Sequence, residues 1–483
     1  MFNILLICIP VLLVKKIIYN DISVNFDLLA FIISISVFFQ ALWGLMQYFQ
    51  LLPSSFYGTC NTIWGSFDNT AGFASCLCCG LPFIMSYMKK RVLLISVCVL
   101  VIIVFLSIIV TNSRTGIVCT TLVICIFMYR SNFFNSKFKK FIVTFFFLLL
   151  LGSYYFKQDS ANGRILIWRC SWEMFKDSPI YGYGIDGFQA HYMDYQADYL
   201  RKYPDCNFAM LADSVSHPFN EYVMVILNWG IIGLIVLVVL TIFLVHCYFK
   251  KPSQNSLIAL ISLVSIGIFS MFSYPYRYPF TWIITFLDIY ILISNVYIVK
   301  KSVRIVKLVS IIFLFLCGII VCEIQQRLSV EINWNELAYQ KKDCEKLEKY
   351  KLLYLNLKDN VYFLYSYAIL LYNEGLIDES LQIASRCRLY WADYSLELLI
   401  GDIYKSKYNY EMAEKFYVNA SFMCPCRFTP LFSLLELYKE CKNTFKVRSI
   451  AQTIVQKPVK VNSLIIMQIK YLAKCELTKN INY

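Results

Sequence analysis

Charge is scarce in this sequence. Asp, Glu, Lys and Arg make up 16% of its 483 residues, and there are three histidines. Soluble domains carry about 25% charged residues and roughly 45–50% apolar ones. Here the hydrophobic fraction is 59%, which excludes an ordinary soluble domain. The apolar stretches lack the alternation of every second residue that a transmembrane β-barrel needs. No CxxC pair is followed by a second one, and no His/Asp cluster has ligand spacing, so no metal site is expected. Gly182, Gly184 and Gly187 fit G-x-G-x-x-G but lack a preceding strand, so this is no dinucleotide fingerprint and no cofactor is expected. The net charge of +14 is scattered over separate loops, which excludes a nucleic-acid footprint.

What is present is a series of long apolar runs. Runs of about 18 residues or more read as membrane-spanning helices, the only open structure that satisfies its own backbone in lipid. Ten candidate spans stand at roughly 1–14, 28–52, 70–88, 92–112, 115–129, 139–156, 222–248, 256–273, 279–299 and 305–322. The first is short, but Lys15 and Lys16 follow it and no small-residue cleavage site does, so it reads as a span and not a signal peptide. Alternate loops carry the basic residues: Lys15/Lys16, Lys89/Lys90/Arg91, Arg130/Lys137/Lys139/Lys140, Lys250/Lys251 and Lys300/Lys301/Arg304/Lys307. The intervening short turns hold only Arg114 and Arg277. The positive-inside rule puts the first set in the cytoplasm, and the loop at about 157–221 and everything after 322 on the other side.

The fold class expected is therefore all-α: a polytopic transmembrane helix bundle over 1–322, with a large extracytoplasmic loop and a helical tail over 323–483. Most of the nineteen cysteines fall in spans or read as buried thiols; Cys424 and Cys426, in the tail, are either free thiols or disulfide partners. The tail is charged throughout and holds an internal repeat. Its best unit, 394–427, places Gly401, Ala413 and Ala420 where two helices pack closely, Tyr404 and Tyr417 in the groove, and Pro425 at the end. Weaker units flank it at about 361–393 and 428–459. The pattern resembles a tetratricopeptide repeat, whose concave groove suits a partner protein. The tail is expected to recruit a partner and to be separable from the membrane half.

The candidate chemistry is concentrated in 162–221, a polar island between apolar helices. Arg164 and Trp168 are four apart on one helix face, with Arg169 beside them. Asp177-Ser178-Pro179 and the glycines that follow make a turn-rich stretch. His217-Pro218-Phe219-Asn220-Glu221 then opens the next span, placing His217 near a helix N-terminus, where anions are favoured. Glu221 either orients the imidazole or caps the helix. Arg114, in Ser113-Arg114-x-Gly116, is either an interfacial arginine or an anion contact.

Taken in order, Ser113-Arg114-x-Gly116, Arg164-x3-Trp168, Asp177-Ser178-Pro179-x3-Tyr183-Gly184, His217-x2-Asn220-Glu221 and Trp229-Gly230-x2-Gly233 resemble the O-antigen ligase and polymerase superfamily, over roughly 68–300. The resemblance implies a bacterial inner-membrane glycan transferase with a periplasmic site. Such enzymes move a glycan from undecaprenyl diphosphate to the hydroxyl of a lipid, a growing glycan or a protein. Many members have about twelve spans, two more than are counted here.

That chemistry suits these residue types. A diphosphate leaving group needs its charge stabilised, which bidentate guanidinium contacts do. An acceptor hydroxyl gains from a neutral imidazole as base. The resemblance and the residues assign His217 as the base or acceptor-orienting group and Arg164 as its catalytic partner on the diphosphate. Arg114, Arg169, Arg277, Asn220, Glu221 and Trp168 are the expected substrate-binding residues. A transporter or flippase would place polar or broken helices at mid-bilayer, whereas these spans are apolar at their centres apart from Asp288. A non-catalytic membrane anchor presenting the tail would leave the Arg/His island unexplained.

Overall fold

The computed structural model describes residues 26–52, 63–89, 93–130, 158–204, 206, 208–296, 322–340 and 345–478, and positions 137, 140, 141 and 144. Among them the chain is helical and no strand occurs. In order come α1 (Phe26–Tyr48), α2 (Thr70–Met85), α3 (Leu94–Val110), α4 (Arg114–Arg130), α5 (Gln158–Asp177), α6 (Gly187–Lys202), α7 (Glu221–Lys250), α8 (Gln254–Ser270) and α9 (Pro279–Val296). Then follow α10 (322–339), α11 (Lys346–Leu357), α12 (Val361–Asn373), α13 (Ile377–Arg388), α14 (Tyr394–Ser406), α15 (Tyr410–Met423), α16 (Thr429–Glu440), α17 (Thr444–Gln456) and α18 (Leu464–Thr478).

Seven of the ten expected spans coincide with α1–α4 and α7–α9; those at 1–14, 139–156 and 305–322 lie essentially outside the described residues. Helices Phe26–Tyr48, Thr70–Met88, Glu221–Lys250 and Pro279–Val296 are long and apolar enough to cross a bilayer, while α3 and α8 are apolar but shorter.

The chain divides into two compact units. The first comprises residues up to 158, 219–222 and 234–318. Its central element is α2, which is buried all round from Gly72 to Met85 and packs on α1, α3, α4, α8 and α9. Small residues make this possible: in lipid, helices associate by close backbone approach and not by a hydrophobic drive. Gly116 of α4 is one such position, where an added Cβ would stand 3.1 Å from that of Ala74 and 3.0 Å from Ile108. Directions of the helices gather the starts of α2, α4, α7 and α9 at one end of this unit. The basic ends of α4 and α7, Arg130 and Lys250, stand at the other end, where Asn295 of α9 donates to the carbonyl of Lys251 (2.6 Å).

The second unit comprises 159–218, 223–233 and residues from 319 on. Its C-terminal part is a run of helical hairpins, α12–α13, α14–α15 and α16–α17. Each hairpin turn contains one residue of positive φ, Gly375, Tyr408 and Lys442, at intervals of 33 and 34 residues, so the backbone repeats even where the side chains do not. Asn360, Asp393, Asn409 and Asn443 cap four of the helices through their side chains. In the best repeat unit, Gly401 admits the buried ring of Tyr417, which an added Cβ would approach to 2.4 Å. Gly401→Ala is expected to lower stability by about 1–3 kcal/mol through overpacking. Thermal unfolding of the full chain followed by circular dichroism checks this, and no loss would mean the hairpin opens without cost.

The sequence suggests a tail separable from the membrane half. Within the second unit the island belongs with that tail, and α6 of the island packs along α15. Buried Gln196 donates to the carbonyl of Met423 (2.6 Å), and Arg388 bridges Asp194 (2.5 Å) to Glu397 (2.5 Å), a carboxylate only 2% exposed. Arg427 pairs with Asp213 (2.9 Å), Ser214 donates to Asp393, and Cys426 to the carbonyl of Ala212 (3.1 Å). Removing the tail would leave the buried Gln196 amide without the Met423 carbonyl and would break the ion pairs of Asp194 and Asp213. Cys424 and Cys426 are free and buried, and burial pushes both thiols up from their ordinary pKa.

Candidate functional site

The island is anchored by a break in α7. Gly230 stands at φ +61°, ψ −157°, a conformation essentially restricted to glycine. The break frees backbone groups that the turn-rich stretch takes up. The N–H of Tyr183 donates to the carbonyl of Leu227 (2.8 Å), that of Gly184 to Asn228 (2.9 Å), and that of Ile231 to Pro179 (2.8 Å). A Cβ on Gly230 would stand 2.1 Å from the carbonyl oxygen of Ile180, and one on Gly182 2.5 Å from the backbone of Asn228. The Asp-Ser-Pro…Tyr-Gly and Trp-Gly-x2-Gly stretches are thus two halves of one backbone joint. The 20 helical residues after the break, at 1.5 Å each, are about 30 Å long, one bilayer core.

Below this joint, α5 buries Leu166, Ile167, Cys170 and Met174 and presents its other face outward. Trp168 donates its indole N–H to the carbonyl of Pro218 (3.0 Å). That bond fastens the helix carrying Arg164 to the segment carrying His217, both of which are half-buried. Arg164, four residues before Trp168, shares its helix face. Arg169 is directed to the ring of Phe208, 5.2 Å from its centroid. Tyr195 donates to Asp177 (2.6 Å) and meets the hydroxyl of Tyr183 (2.8 Å); burial, then the bond to Asp177, pushes the Tyr195 hydroxyl up. The exposed His191 ring lies against that of Tyr183, 5.1 Å between centroids.

The first unit holds the other expected residues. Asn220 accepts from the N–H of Tyr222 (2.9 Å), a cap on α7, and Glu221 accepts from the N–H of Tyr276 (3.1 Å). This contact is neither of the two roles expected of Glu221, orienting the imidazole or capping the helix: it ties Glu221 to the turn before α9. Arg277, in that turn, pairs with Asp68 (3.5 Å), whose other oxygen accepts from Tyr278 (2.6 Å). Asn69 caps α2 and donates to the hydroxyl of Tyr274 (3.2 Å), whose ring meets that of Phe219 (5.6 Å). Arg114 opens α4 at this same end of the unit.

Arg277, Asn220 and Glu221 are therefore gathered in one polar cap of the first unit, and Arg164, Trp168 and His217 on one side of the second. Sequence reasoning missed Asp68, Tyr274 and Tyr278. Their signals were Asp-Asn immediately before an apolar run and the dense Tyr-Pro-Tyr-Arg-Tyr-Pro stretch. Among the described residues no group of three His, Cys, Asp or Glu side chains is placed to hold a metal ion.

Residues 68–238 match the protein-family model described as O-antigen ligase. The matched stretch begins at Asp68 and ends in α7 beyond the break at Gly230, so it contains the polar island and all five motif stretches. It agrees with the resemblance carried by those motifs. No curated protein and no solved structure matches the chain.

Proposed function

We infer that this membrane protein transfers a glycan from an undecaprenyl-diphosphate carrier to an acceptor hydroxyl. The observation that carries this is the bond from Trp168 to Pro218, which ties the helix of Arg164 to the segment of His217 inside the stretch matched by the O-antigen ligase family. In this reading His217 takes the proton of the acceptor hydroxyl as it attacks the anomeric carbon. Arg164 holds the diphosphate as the glycosidic bond to it breaks and charge builds on its oxygen. Arg114 is an anion contact of the first unit's cap, and Arg169 and Arg277 are weaker ones because Phe208 and Asp68 already engage them. The basic ends of α4 and α7 face the cytoplasm by the positive-inside rule, which puts the polar cap on the periplasmic side of an inner membrane. The tail is a tetratricopeptide-like stack that braces the island as well as offering a surface to a partner.

Arg164→Lys tests the reading. A lysine is a point charge and does not reproduce a bidentate fork. Transfer in isolated membranes, with lipid-linked donor and matched protein levels, is expected to fall more than about tenfold, since a charge-assisted contact is worth about 1.5–3 kcal/mol. Activity within twofold of wild type would remove Arg164 from the diphosphate. The acceptor class is separable in a deletion strain: lost long chains indicate a polymerase, accumulated lipid-linked chains a ligase, and unmodified proteins a protein oligosaccharyltransferase.

A further inference from the structure

Beyond the roles given above to Trp168 and Arg169, α5 carries an aromatic surface centred on Trp172 that those roles do not explain. Ile165, Trp168, Arg169, Trp172 and Glu173 recur at helical spacing on its outward face, and Tyr199 of α6 faces them. Together they line an open groove of about 330 Å³. Trp172 is 58% exposed, on a helix whose opposite side is fully buried, and its ring stacks on Phe175 (5.3 Å, 30° between planes). Leaving an indole in water forgoes the burial that such a large side chain ordinarily gains. The rings are also held in place: Trp168 by its bond to Pro218, and Trp172 by the stack beneath it. Charges of both signs flank them. Arg169 is steadied over Phe208, and Glu173 is paired with Lys176 (2.5 Å).

We propose that this groove binds a pyranose ring of the glycan chain, one or more sugars away from the bond that reacts. A pyranose has an apolar C–H face and a rim of hydroxyls. The face suits the flat Trp172 indole, and the rim suits a guanidinium donor on one side and a carboxylate acceptor on the other. An acyl chain would instead desolvate Arg169 and Glu173 without giving either a partner. The bond from Trp168 to Pro218 sets the inner end of the groove beside the segment of His217, so a chain lying along α5 leads toward the proposed base. The inference deepens the transferase reading and rests on it for the identity of the glycan.

The test uses the full chain in lipid nanodiscs. The probe is the oligosaccharide freed by mild acid from the host's own lipid-linked pool, and hydroxyl-radical footprinting reads Trp172. The oligosaccharide is expected to protect Trp172 at least threefold. In the transfer assay, Trp172→Ala should raise KM for a multi-unit donor about tenfold and leave kcat within about twofold, the pattern of lost binding that is equal in ground and transition states. Trp172→Phe, which keeps a ring, should stay within about threefold. Because Trp172 is exposed, neither change endangers the fold. An unprotected Trp172, or an unchanged KM in Trp172→Ala, overturns the proposal. Trp172 protected equally with and without glycan in nanodiscs, and freed in detergent, also overturns it and makes the surface a lipid contact. Protection by glycan in a protein that transfers nothing keeps the groove and sinks the transferase reading instead.

Discussion

His217→Ala is expected to lower the rate of glycan transfer by about a hundred- to ten-thousandfold, the range a positioned general base supplies. The loss should fall on kcat, with KM for the lipid-linked donor nearly unchanged, because the imidazole acts on the acceptor hydroxyl only as the bond forms. His217 is half-buried in the loop before α7, and its segment is fixed by the bond from Trp168 to the carbonyl of Pro218. The variant should therefore fold as the wild type does. The measurement is a single-turnover transfer assay in membranes, with protein level and thermal unfolding matched. Transfer within threefold of wild type would make His217 a structural residue and would move the base elsewhere. The exposed His191, beside Tyr183, would be the next residue to examine.

Gly230→Ala is expected to cost about 3 kcal/mol or more and to abolish transfer. Two effects combine. The conformation at Gly230 is one that residues with a Cβ adopt only under strain of about 1–3 kcal/mol. In addition, the new Cβ would collide with the carbonyl oxygen of Ile180, from which it would stand 2.1 Å. Relief requires either straightening α7 or displacing the 179–184 stretch, and either choice breaks three backbone hydrogen bonds that join the two. Limited proteolysis should then cut between 178 and 187 faster than in the wild type, and the melting temperature should fall. An alanine variant with wild-type melting and transfer would show that the break in α7 persists without the docked loop. The same joint bears on the transporter reading. The helix is broken, as in many transporters, but its freed groups are paired to a loop of the same unit, not left to line a path at mid-bilayer.

The sequence alone determined the class and the location of the spans that can be compared. Long apolar runs have one stable solution in lipid, and so α1–α4 and α7–α9 fall where hydropathy puts them. It also located the island, because charge and imidazole are scarce enough here that their clustering is itself a signal. The close packing of α14 on α15 was legible because it demands small residues at fixed intervals, and Gly401, Ala413 and Ala420 supply them. The tertiary structure decided what these parts do to one another. Hydropathy reads 222–248 as one continuous span, since a single glycine barely changes the average. Only the approach of Ile180 explains why the chain breaks at Gly230. Nor could spacing show that Asp194 and Gln196 of α6 find their partners about two hundred residues later, at Arg388 and Met423. Pairings of that kind depend on which surfaces meet, and periodicity records only that a helix has a face, not what covers it. The tail therefore read as an appendage, when its helices complete the unit that holds the island.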